Sequence, residues 1–206
     1  MTRIDARWIA GLVTLAAQTA SAQTLIDARF SQGSDGFVYV DDAFLATHAP
    51  DYAEGERVAE TAGASGVLAI TLGNRDSRPV IGMSGGWSRA FVLERPVRDL
   101  RILFRCQLIQ ASGYEPDEFG QVMILLDGNL LADSGLDFVA RIEGDGDGGT
   151  ERATGWLVLS ASVESAREGR HVLTIGGYSN KKTADNESTR ILIDDVRVTG
   201  MPDEAQ

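Results

Sequence analysis

The sequence predicts an all-β fold, either a sandwich or a barrel of antiparallel strands, on the basis of three observations. Apolar residues almost never recur with the 3.6-residue period of a helix. Instead, about ten short runs rich in Val, Ile, Leu and aromatic residues follow one another, bounded by Gly, Asp, Asn and Ser. In the run from Asp99 to Ile109, apolar and polar residues alternate, which indicates a strand with one buried face.

Ahead of these runs, residues 1–22 are predicted to be a secretory signal peptide. Arg3 and Arg7 precede a short apolar stretch, and Ala20-Ser21-Ala22 supplies a small-residue cleavage site before Gln23. The apolar stretch is about half of the roughly 20 residues that span a bilayer, so no membrane insertion is expected. The predicted domain covers residues 23–200, a flexible tail covers 201–206, and the protein is expected to be secreted, to a periplasm or beyond it.

The predicted strands follow in order along residues 23–200: LIDARF, GFVYV, GVLAITL, WSRAFVL, DLRILFRCQLI, FGQVMILLDG, LDFVARIEG, GWLVLSASV, HVLTIGG and RILIDDVRV. Asp127-Gly128 predicts a hairpin turn, because glycine accepts the positive φ of a tight corner. A long loop is expected from Asp41 to Gly66, and Ser165 to Gly169 is compatible with one helical turn.

Composition narrows the classes of partner. The chain carries a formal net charge of -11, which disfavours binding to nucleic acids and to anionic lipid surfaces. Cys106 is the only cysteine, so no intramolecular disulfide forms, and its position in the alternating run predicts a core residue. The oligomeric state is not indicated by the sequence.

The last predicted strand contains two adjacent carboxylates. Strict alternation would place Asp194 and Asp195 on opposite faces, so one of them would point toward the core. A buried carboxylate needs a compensating charge, and therefore either a cation or an arginine partner is expected. Satisfaction by a turn or by Arg197 is the alternative to a metal.

The ending LIDDVRV, the opening LIDARFSQGSDGF and the short strands between them resemble secreted bacterial jelly-roll β-sandwich modules, a group that includes carbohydrate-binding modules and MAM- or laminin-G-like domains. The resemblance implies an antiparallel jelly-roll β-sandwich in a single domain. It also implies a structural Ca²⁺ ion held by an aspartate of the last strand, Asp194 or Asp195, with Asp27 of the first strand as a partner.

A second calcium candidate is the loop EGDGDGGTE. Its carboxylates Glu143, Asp145 and Asp147 alternate with glycines, so the loop can direct several oxygen donors inward, as Ca²⁺ requires. The alternative is a solvated acidic turn.

The stretch from Gly176 to Thr189 is the predicted ligand-binding surface. Amides, lysines and carboxylates beside an aromatic ring can hydrogen-bond sugar hydroxyls and support a pyranose. The candidate residues are Tyr178, Asn180, Lys181, Lys182, Asn186 and Glu187, with Trp87, Arg89 and Tyr114 as additional contacts. The alternatives are that Trp87 belongs to the core and that Lys181 and Lys182 protect a strand edge.

No catalytic residues are predicted. In YEPDEFG the acids Glu115 and Asp117 alternate, but Pro116 interrupts the strand and Phe119 occupies the next position on that face, so the acid triplet of laminarinase-like hydrolases is absent. The favoured function is therefore non-catalytic glycan binding by a secreted protein with a structural calcium. The alternatives are a calcium-stabilised adhesive or structural extracellular module and, less favoured, a polysaccharide-degrading jelly-roll enzyme.

Overall fold

The computed structural model describes residues 21–44, 47, 49–59, 66–73, 75–132, 135–146 and 150–203. Within these ranges the regular secondary structure consists of β-strands alone. The strands are β1 Gln23–Ala28, β2 Val38–Asp41, β3 Ala53–Val58, β4 Val67–Gly73, β5 Val80–Leu93, β6 Val97–Gln110, β7 Phe119–Leu126, β8 Asn129–Leu130, β9 Ala140–Glu143, β10 Arg152–Ala153, β11 Leu157–Ala166, β12 Gly169–Lys182 and β13 Ser188–Pro202. No helix of the described residues is long and apolar enough to cross a membrane.

The strands form two antiparallel sheets. Sheet A has the order β10-β6-β13-β4-β3, with β11 also paired to β6 and β1 also paired to β13. Sheet B has the order β2-β5-β12-β7-β8, with β9 also paired to β7. Successive long strands alternate between the sheets, since β4 and β6 lie in sheet A and β5 and β7 in sheet B. The predicted fold class, an antiparallel jelly-roll β-sandwich in a single domain, is confirmed.

The core lies between the sheets and follows the alternation of the long strands. On β6 the residues Leu100, Ile102, Phe104, Cys106 and Leu108 are all 0% exposed, as the sequence predicts. They pack against residues of β12 and β7 on the facing sheet. Because the Cys106 thiol is buried, its pKa is raised to about 12, so it is a core side chain and not a reactive thiolate.

Two local predictions are wrong. Residues 53–58 form β3 inside the expected long loop, and their ladder with β4 runs from Ala53–Leu72 to Val58–Val67. Residues 165–169 contain no helical turn, because β11 continues to Ala166 and β12 begins at Gly169. Both segments complete antiparallel pairs with strongly patterned neighbours, and this pairing determines their conformation.

The first and last strands begin and end close to the predicted domain boundaries, residues 23 and 200. β1 begins at Gln23, the residue after the predicted cleavage site. At the other end, Met201 and Pro202 of the predicted tail belong to β13. Residues 1–20 of the predicted signal peptide and residues 204–206 of the tail lie outside the described residues.

Candidate functional site

The predicted contact loop from Gly176 to Thr189 is mostly strand. β12 continues to Lys182 and β13 begins at Ser188, so only residues 183–187 connect them. The ladder between β12 and β5 extends to the pair Lys182–Val80, and it holds the polar residues in an extended backbone. The connection crosses from sheet B to sheet A. The loop prediction is therefore corrected to a short crossover.

Lys182 and Glu187 hold this crossover together and do not line a surface. Lys182 is 0% exposed, and its Nζ donates to the backbone carbonyls of Asp76 at 2.6 Å and Ala184 at 3.0 Å. Glu187 is 2% exposed, and its Oε2 accepts the backbone N–H groups of Thr183 and Ala184. Lys182 therefore joins the turn to the β4–β5 connection, and Glu187 binds the backbone of the turn, so neither side chain faces a ligand and their predicted contact role is corrected.

Asn180, Lys181 and Asn186 fix neighbouring segments. Asn180 Oδ1 accepts the backbone N–H of Phe119 at 2.7 Å, and its Nδ2 donates to the carbonyl of Asp117 at 2.8 Å. Lys181 Nζ lies 3.0 Å from Asp117, and this contact is the largest cause of its raised pKa. Asn186 is exposed, and its Nδ2 donates to a backbone carbonyl of the β6–β7 connection at 3.4 Å. Asn180 and Lys181 thus position the start of β7.

The additional predicted contacts do not form a common surface. Trp87 is 7% exposed, lies in the core, and donates from Nε1 to a backbone carbonyl of β4 at 3.2 Å. Tyr114 is 2% exposed, and burial raises the pKa of its hydroxyl to about 12. Arg89 lies over the Phe37 ring, with its guanidinium carbon 5.8 Å from the ring centroid. The prediction that Trp87 and Tyr114 add stacking surface is therefore corrected, because both rings are buried.

Tyr178 belongs to a different group, which lies on the outer face of sheet B, the face turned away from sheet A. Tyr178 pairs in register with Gln121, and Gln121 pairs with Arg141. Directly opposed residues of antiparallel strands point to the same face, so these three side chains form a row across β12, β7 and β9. Phe119 is two residues from Gln121 and shares that face.

The aromatic rings of this group are in contact with a guanidinium. The Phe119 and Tyr178 ring centroids are 6.4 Å apart. The Arg141 guanidinium carbon lies 3.7 Å from the Phe119 centroid and 5.9 Å from the Phe138 centroid. Its Nη2 also forms an ion pair with Glu143 at 2.8 Å. We call Tyr178, Phe119, Phe138 and Arg141 the aromatic–arginine cluster.

The connection between β2 and β3 covers the neighbouring part of the same face. A Cβ built at Gly86 would lie 2.9 Å from the Phe44 ring, so Phe44 rests on that glycine. The connection is tied down at Asp42, whose Oδ1 accepts the hydroxyls of Ser84 at 3.0 Å and Thr47 at 2.5 Å. Phe44 and Thr47 therefore border the cluster on the β5 side.

A negatively charged side chain, Asp137, lies next to Tyr178. Burial raises the pKa of Tyr178, and the charge of Asp137 raises it further. Asp137 is exposed and precedes Phe138 in the chain. The partly exposed rings of the cluster, Arg141 and the exposed carboxylate of Asp137 therefore lie within one surface.

The sequence indicates which strand face Phe119 and Arg141 occupy, but it does not predict that they meet Tyr178. Alternation in FGQVM puts Phe119 and Gln121 on one face, and alternation in ARIE does the same for Arg141 and Glu143. The strand register that brings β9 beside β7, and β7 beside β12, is not encoded in either run alone. That register determines which aromatic ring meets Tyr178.

The predicted calcium ligands near the chain ends are paired with arginines. Asp194 and Asp195 lie 3.7 Å and 3.4 Å from Arg105 Nη1. The Asp27 carboxylate lies 3.6 Å from both Arg29 and Arg197. The arginine partner that the sequence allows is therefore present in each case.

A β-bulge changes the predicted geometry of the two adjacent aspartates. The register of β13 with β6 shifts between Asp194 and Arg197, and Asp195 has a φ of 49°. The extra residue brings both carboxylates to Arg105, a side chain of the outer face of sheet A, so the prediction that they occupy opposite faces is wrong.

The second calcium candidate is only partly described. Glu143 is the last residue of β9 and is paired with Arg141, Asp145 follows it, and Asp147 lies outside the described residues. Among the residues that the structure describes, no group of three or more His, Cys, Asp or Glu side chains could hold a metal ion. The described side chains thus do not form a calcium site by themselves, and calcium stays a prediction of the sequence.

No protein-family model matches the chain, and no curated protein matches it. Solved structures with a similar backbone include the N-terminal CBM22-1-CBM22-2 tandem domain of Xyn10C from Paenibacillus barcinonensis, with a TM-score of 0.48 and 14% identity over 93% of this chain and 49% of that one. The present chain thus spans about half the length of that tandem. The mannan-recognising carbohydrate-binding module TmCBM27 has a TM-score of 0.44 and 13% identity over 88% of this chain and 99% of its own.

A third solved structure is the K1 cleaved adhesin domain of Lys-gingipain from Porphyromonas gingivalis. Its TM-score is 0.41 at 12% identity, and the similarity covers 88% of this chain and 98% of that domain. The structural neighbours thus include carbohydrate-binding modules, the class that the sequence resembles.

Proposed function

We propose that this protein binds carbohydrate without cleaving it, through the aromatic–arginine cluster on the outer face of sheet B. The single observation that carries the proposal is the contact of Arg141 with Phe119 beside the Tyr178 ring, on a face turned away from the core. Aromatic rings next to fixed hydrogen-bonding groups suit a sugar ring, because the sugar has an apolar C–H face and a polar rim.

The groups around the rings have complementary roles. Tyr178 and Phe119 supply apolar surface, and the Arg141 guanidinium supplies several N–H donors in a fixed plane. Asp137 supplies a carboxylate acceptor close enough to Tyr178 to raise the pKa of its hydroxyl. Because Arg141 is held by Glu143 and by Phe119, it loses little conformational freedom when a ligand binds.

The positions of Glu115 and Asp117, the two acids that alternate in YEPDEFG, favour a binding role over catalysis. Glu115 and Asp117 both lie within 3.8 Å of Lys181 Nζ, at 3.8 Å and 3.0 Å. A hydrolase of this type needs one carboxylic acid and one carboxylate on either side of a bound sugar. Lys181 also lies 3.7 Å from Glu118, whose pKa is raised by burial, but Glu118 is 0% exposed and does not reach a sugar bound at the surface. The two exposed acids share one lysine and do not supply that asymmetry by themselves.

The experiment is retention on a panel of neutral polysaccharides in affinity gels, with Tyr178→Ala and Arg141→Ala as the test variants. We expect each variant to lose about tenfold or more in affinity, since a stacking ring or a charged donor contributes on that order. Tyr178→Phe should keep most of the affinity, because it retains the ring. Val92→Ala, an exposed apolar residue distant in sequence from the cluster, is the matched control.

Unchanged retention of Tyr178→Ala and Arg141→Ala, with melting temperatures equal to that of the parent chain, would remove the cluster as the site. Retention of no polysaccharide by the parent chain would favour the adhesive or structural alternative. Release of soluble sugar that is lost in Glu115→Gln would favour the enzyme alternative.

A further inference from the structure

The outer face of sheet A carries a second surface that the proposed site does not use. A shallow groove there consists of two cavities of about 330 and 540 Å³, which share Leu103 and Arg197 and are therefore contiguous. The groove runs across β1, β13, β6 and β11. We call it the sheet A groove.

This groove is far less acidic than the chain as a whole. Its lining includes four arginines and three aspartates, which are Arg29, Arg101, Arg105, Arg197, Asp27, Asp99 and Asp195. The whole chain, in contrast, has 19 Lys and Arg against 30 Asp and Glu. Asp194 also contacts Arg105, so the arginines and aspartates of the groove balance. The groove therefore lacks the negative charge of the rest of the chain and does not repel a ligand whose carboxylates reach it locally.

The arginines are held in place and still accessible. Arg105 lies between Asp195 and the Trp156 ring, with its guanidinium carbon 4.7 Å from the ring centroid. Arg197 and Arg101 are paired with Asp27 at 3.6 Å and Asp99 at 2.9 Å.

The side chains of these arginines remain 40% (Arg105), 49% (Arg197) and 67% (Arg101) exposed. A guanidinium has five N–H donors, so an arginine steadied by one aspartate can still bind a carboxylate.

The floor of the groove is apolar. Leu103, on the inner strand β6, and Val158, on the edge strand β11, are 43% and 68% exposed. Leu103 stands between Arg101 and Arg105 on β6, and alternate residues of a strand are about 7 Å apart. Ser160 and Ser162 line the β11 side. An apolar floor flanked by regularly spaced arginines matches a polymer of rings that carry carboxylates.

We propose that the sheet A groove binds a polysaccharide with carboxylate groups, a polyuronate. The apolar face of a sugar ring would rest on Leu103 and Val158, and its carboxylate would lie between two guanidiniums. This inference rests on the proposed function only for the carbohydrate class of the ligand, because the groove lies on the opposite sheet from the aromatic–arginine cluster.

The test is affinity electrophoresis in gels that contain polygalacturonate, at low and at moderate salt. We expect Arg197→Gln and Arg101→Gln each to weaken retention by about fivefold or more, since each removes charge-assisted hydrogen bonds. Leu103→Ala should weaken it less. Arg170→Gln, an exposed arginine on β12 of sheet B, makes the same charge change and should leave retention unaltered. Arg105 is avoided because it also contacts the buried Asp194.

Several results would overturn the inference. These are no retention by polygalacturonate at low salt, an equal loss in Arg170→Gln, unaltered retention in Arg197→Gln and Arg101→Gln, and equal retention by dextran sulfate or single-stranded DNA. Failure of the two proposals can be told apart. Tyr178→Ala should weaken retention by a neutral polysaccharide and leave retention by polygalacturonate intact, and Arg197→Gln should weaken only retention by polygalacturonate.

Discussion

At the scale of single residues, the polar side chains between β12 and β13 act on the backbone of their own crossover. Lys182 and Glu187 each satisfy two backbone groups and are almost fully buried. A chain that moves from one sheet to the other leaves carbonyl and N–H groups without ladder partners, and such groups are costly when buried. The density of charged residues in this stretch therefore meets a structural need.

Glu118 is the buried carboxyl of this region with the clearest electrostatic signature. It is 0% exposed and accepts the backbone N–H of Glu115 at 2.8 Å. Burial raises its pKa, the charge of Glu187 raises it further, and the Glu115 N–H and Lys181 act in the opposite direction. The folded state thus holds the proton of Glu118 to a higher pH than the unfolded chain does.

From this shift we predict a pH-dependent effect of Glu118→Gln. Below the unfolded pKa of about 4.5 both states are protonated, so the raised pKa costs nothing. As the pH rises through the folded pKa, the unfolded state has already released its proton, and the free energy of unfolding falls. The stability of Glu118→Gln relative to the parent should therefore increase between pH 4 and pH 7, as measured by urea denaturation. A constant difference would contradict the prediction.

At the scale of strands, a strand can be predicted when its own residues alternate between buried and exposed positions. It cannot be predicted when its conformation depends on pairing with another strand. β6 and β7 follow from period-two alternation, because their inner residues are apolar along the whole strand. β3 does not, since AEGERV is a partly exposed edge strand whose conformation depends on its ladder with β4. The polar end of β12 is likewise fixed by pairing with β5 at Lys182.

The candidate sites show the same limit. Tyr178 could be chosen from the sequence as an aromatic residue among polar ones, and it does lie in the aromatic–arginine cluster. Phe119 and Arg141 could not, because they come from strands that approach Tyr178 only through register. The bulge at Asp195 is also invisible in ILIDDVRV, since one inserted residue breaks the alternation that the sequence implies.

The packing of the β2–β3 connection on sheet B gives an element-scale prediction. A methyl group at Gly86 would meet the Phe44 ring at 2.9 Å and the Thr174 methyl at 3.0 Å. Gly86→Ala should therefore destabilise the protein by about 1–3 kcal/mol through overpacking. Much of that loss should vanish in Phe44→Ala/Gly86→Ala, because the obstructing ring is gone, with a coupling energy of about 0.5–3 kcal/mol. Urea denaturation of the four proteins measures it.

Gly176→Ala is the matched control for this cycle. Its methyl group would lie 2.2 Å from the Gly85 carbonyl oxygen and 2.4 Å from the Gly86 Cα, which are backbone atoms of β5. The methyl group at Gly176 would also lie 2.9 Å from the Phe44 ring, but removing that ring cannot relieve the two backbone contacts, so Phe44→Ala should rescue Gly176→Ala less than it rescues Gly86→Ala. Additive effects for Gly86→Ala and Phe44→Ala would show that the connection does not rest on sheet B.

At the scale of the molecule, the sandwich presents two outer faces of different chemistry. The outer face of sheet B carries the aromatic rings that contact Arg141, and the outer face of sheet A carries arginines spaced by exposed aliphatic residues. The core lies between the faces and is shared by both sheets. A substitution on one face can therefore be compared with a substitution on the other in the same folded protein.

The acidic residues near the chain ends are balanced either by calcium or by arginine, and the two cases predict different effects of metal removal on the stability of the whole molecule. The sequence-based prediction requires that EDTA lower the melting temperature by several degrees, because a metal bound only by the folded state stabilises it. The arginine pairs of Asp27, Asp194 and Asp195 require no such change. Thermal melts with EDTA, followed by added Ca²⁺ or Mg²⁺, separate the two: a fall that only Ca²⁺ reverses supports the metal. An unchanged melt supports the pairs, and Arg105→Gln should then lower the free energy of unfolding by about 1–2 kcal/mol, since it removes a charge partner of the buried Asp194 carboxylate.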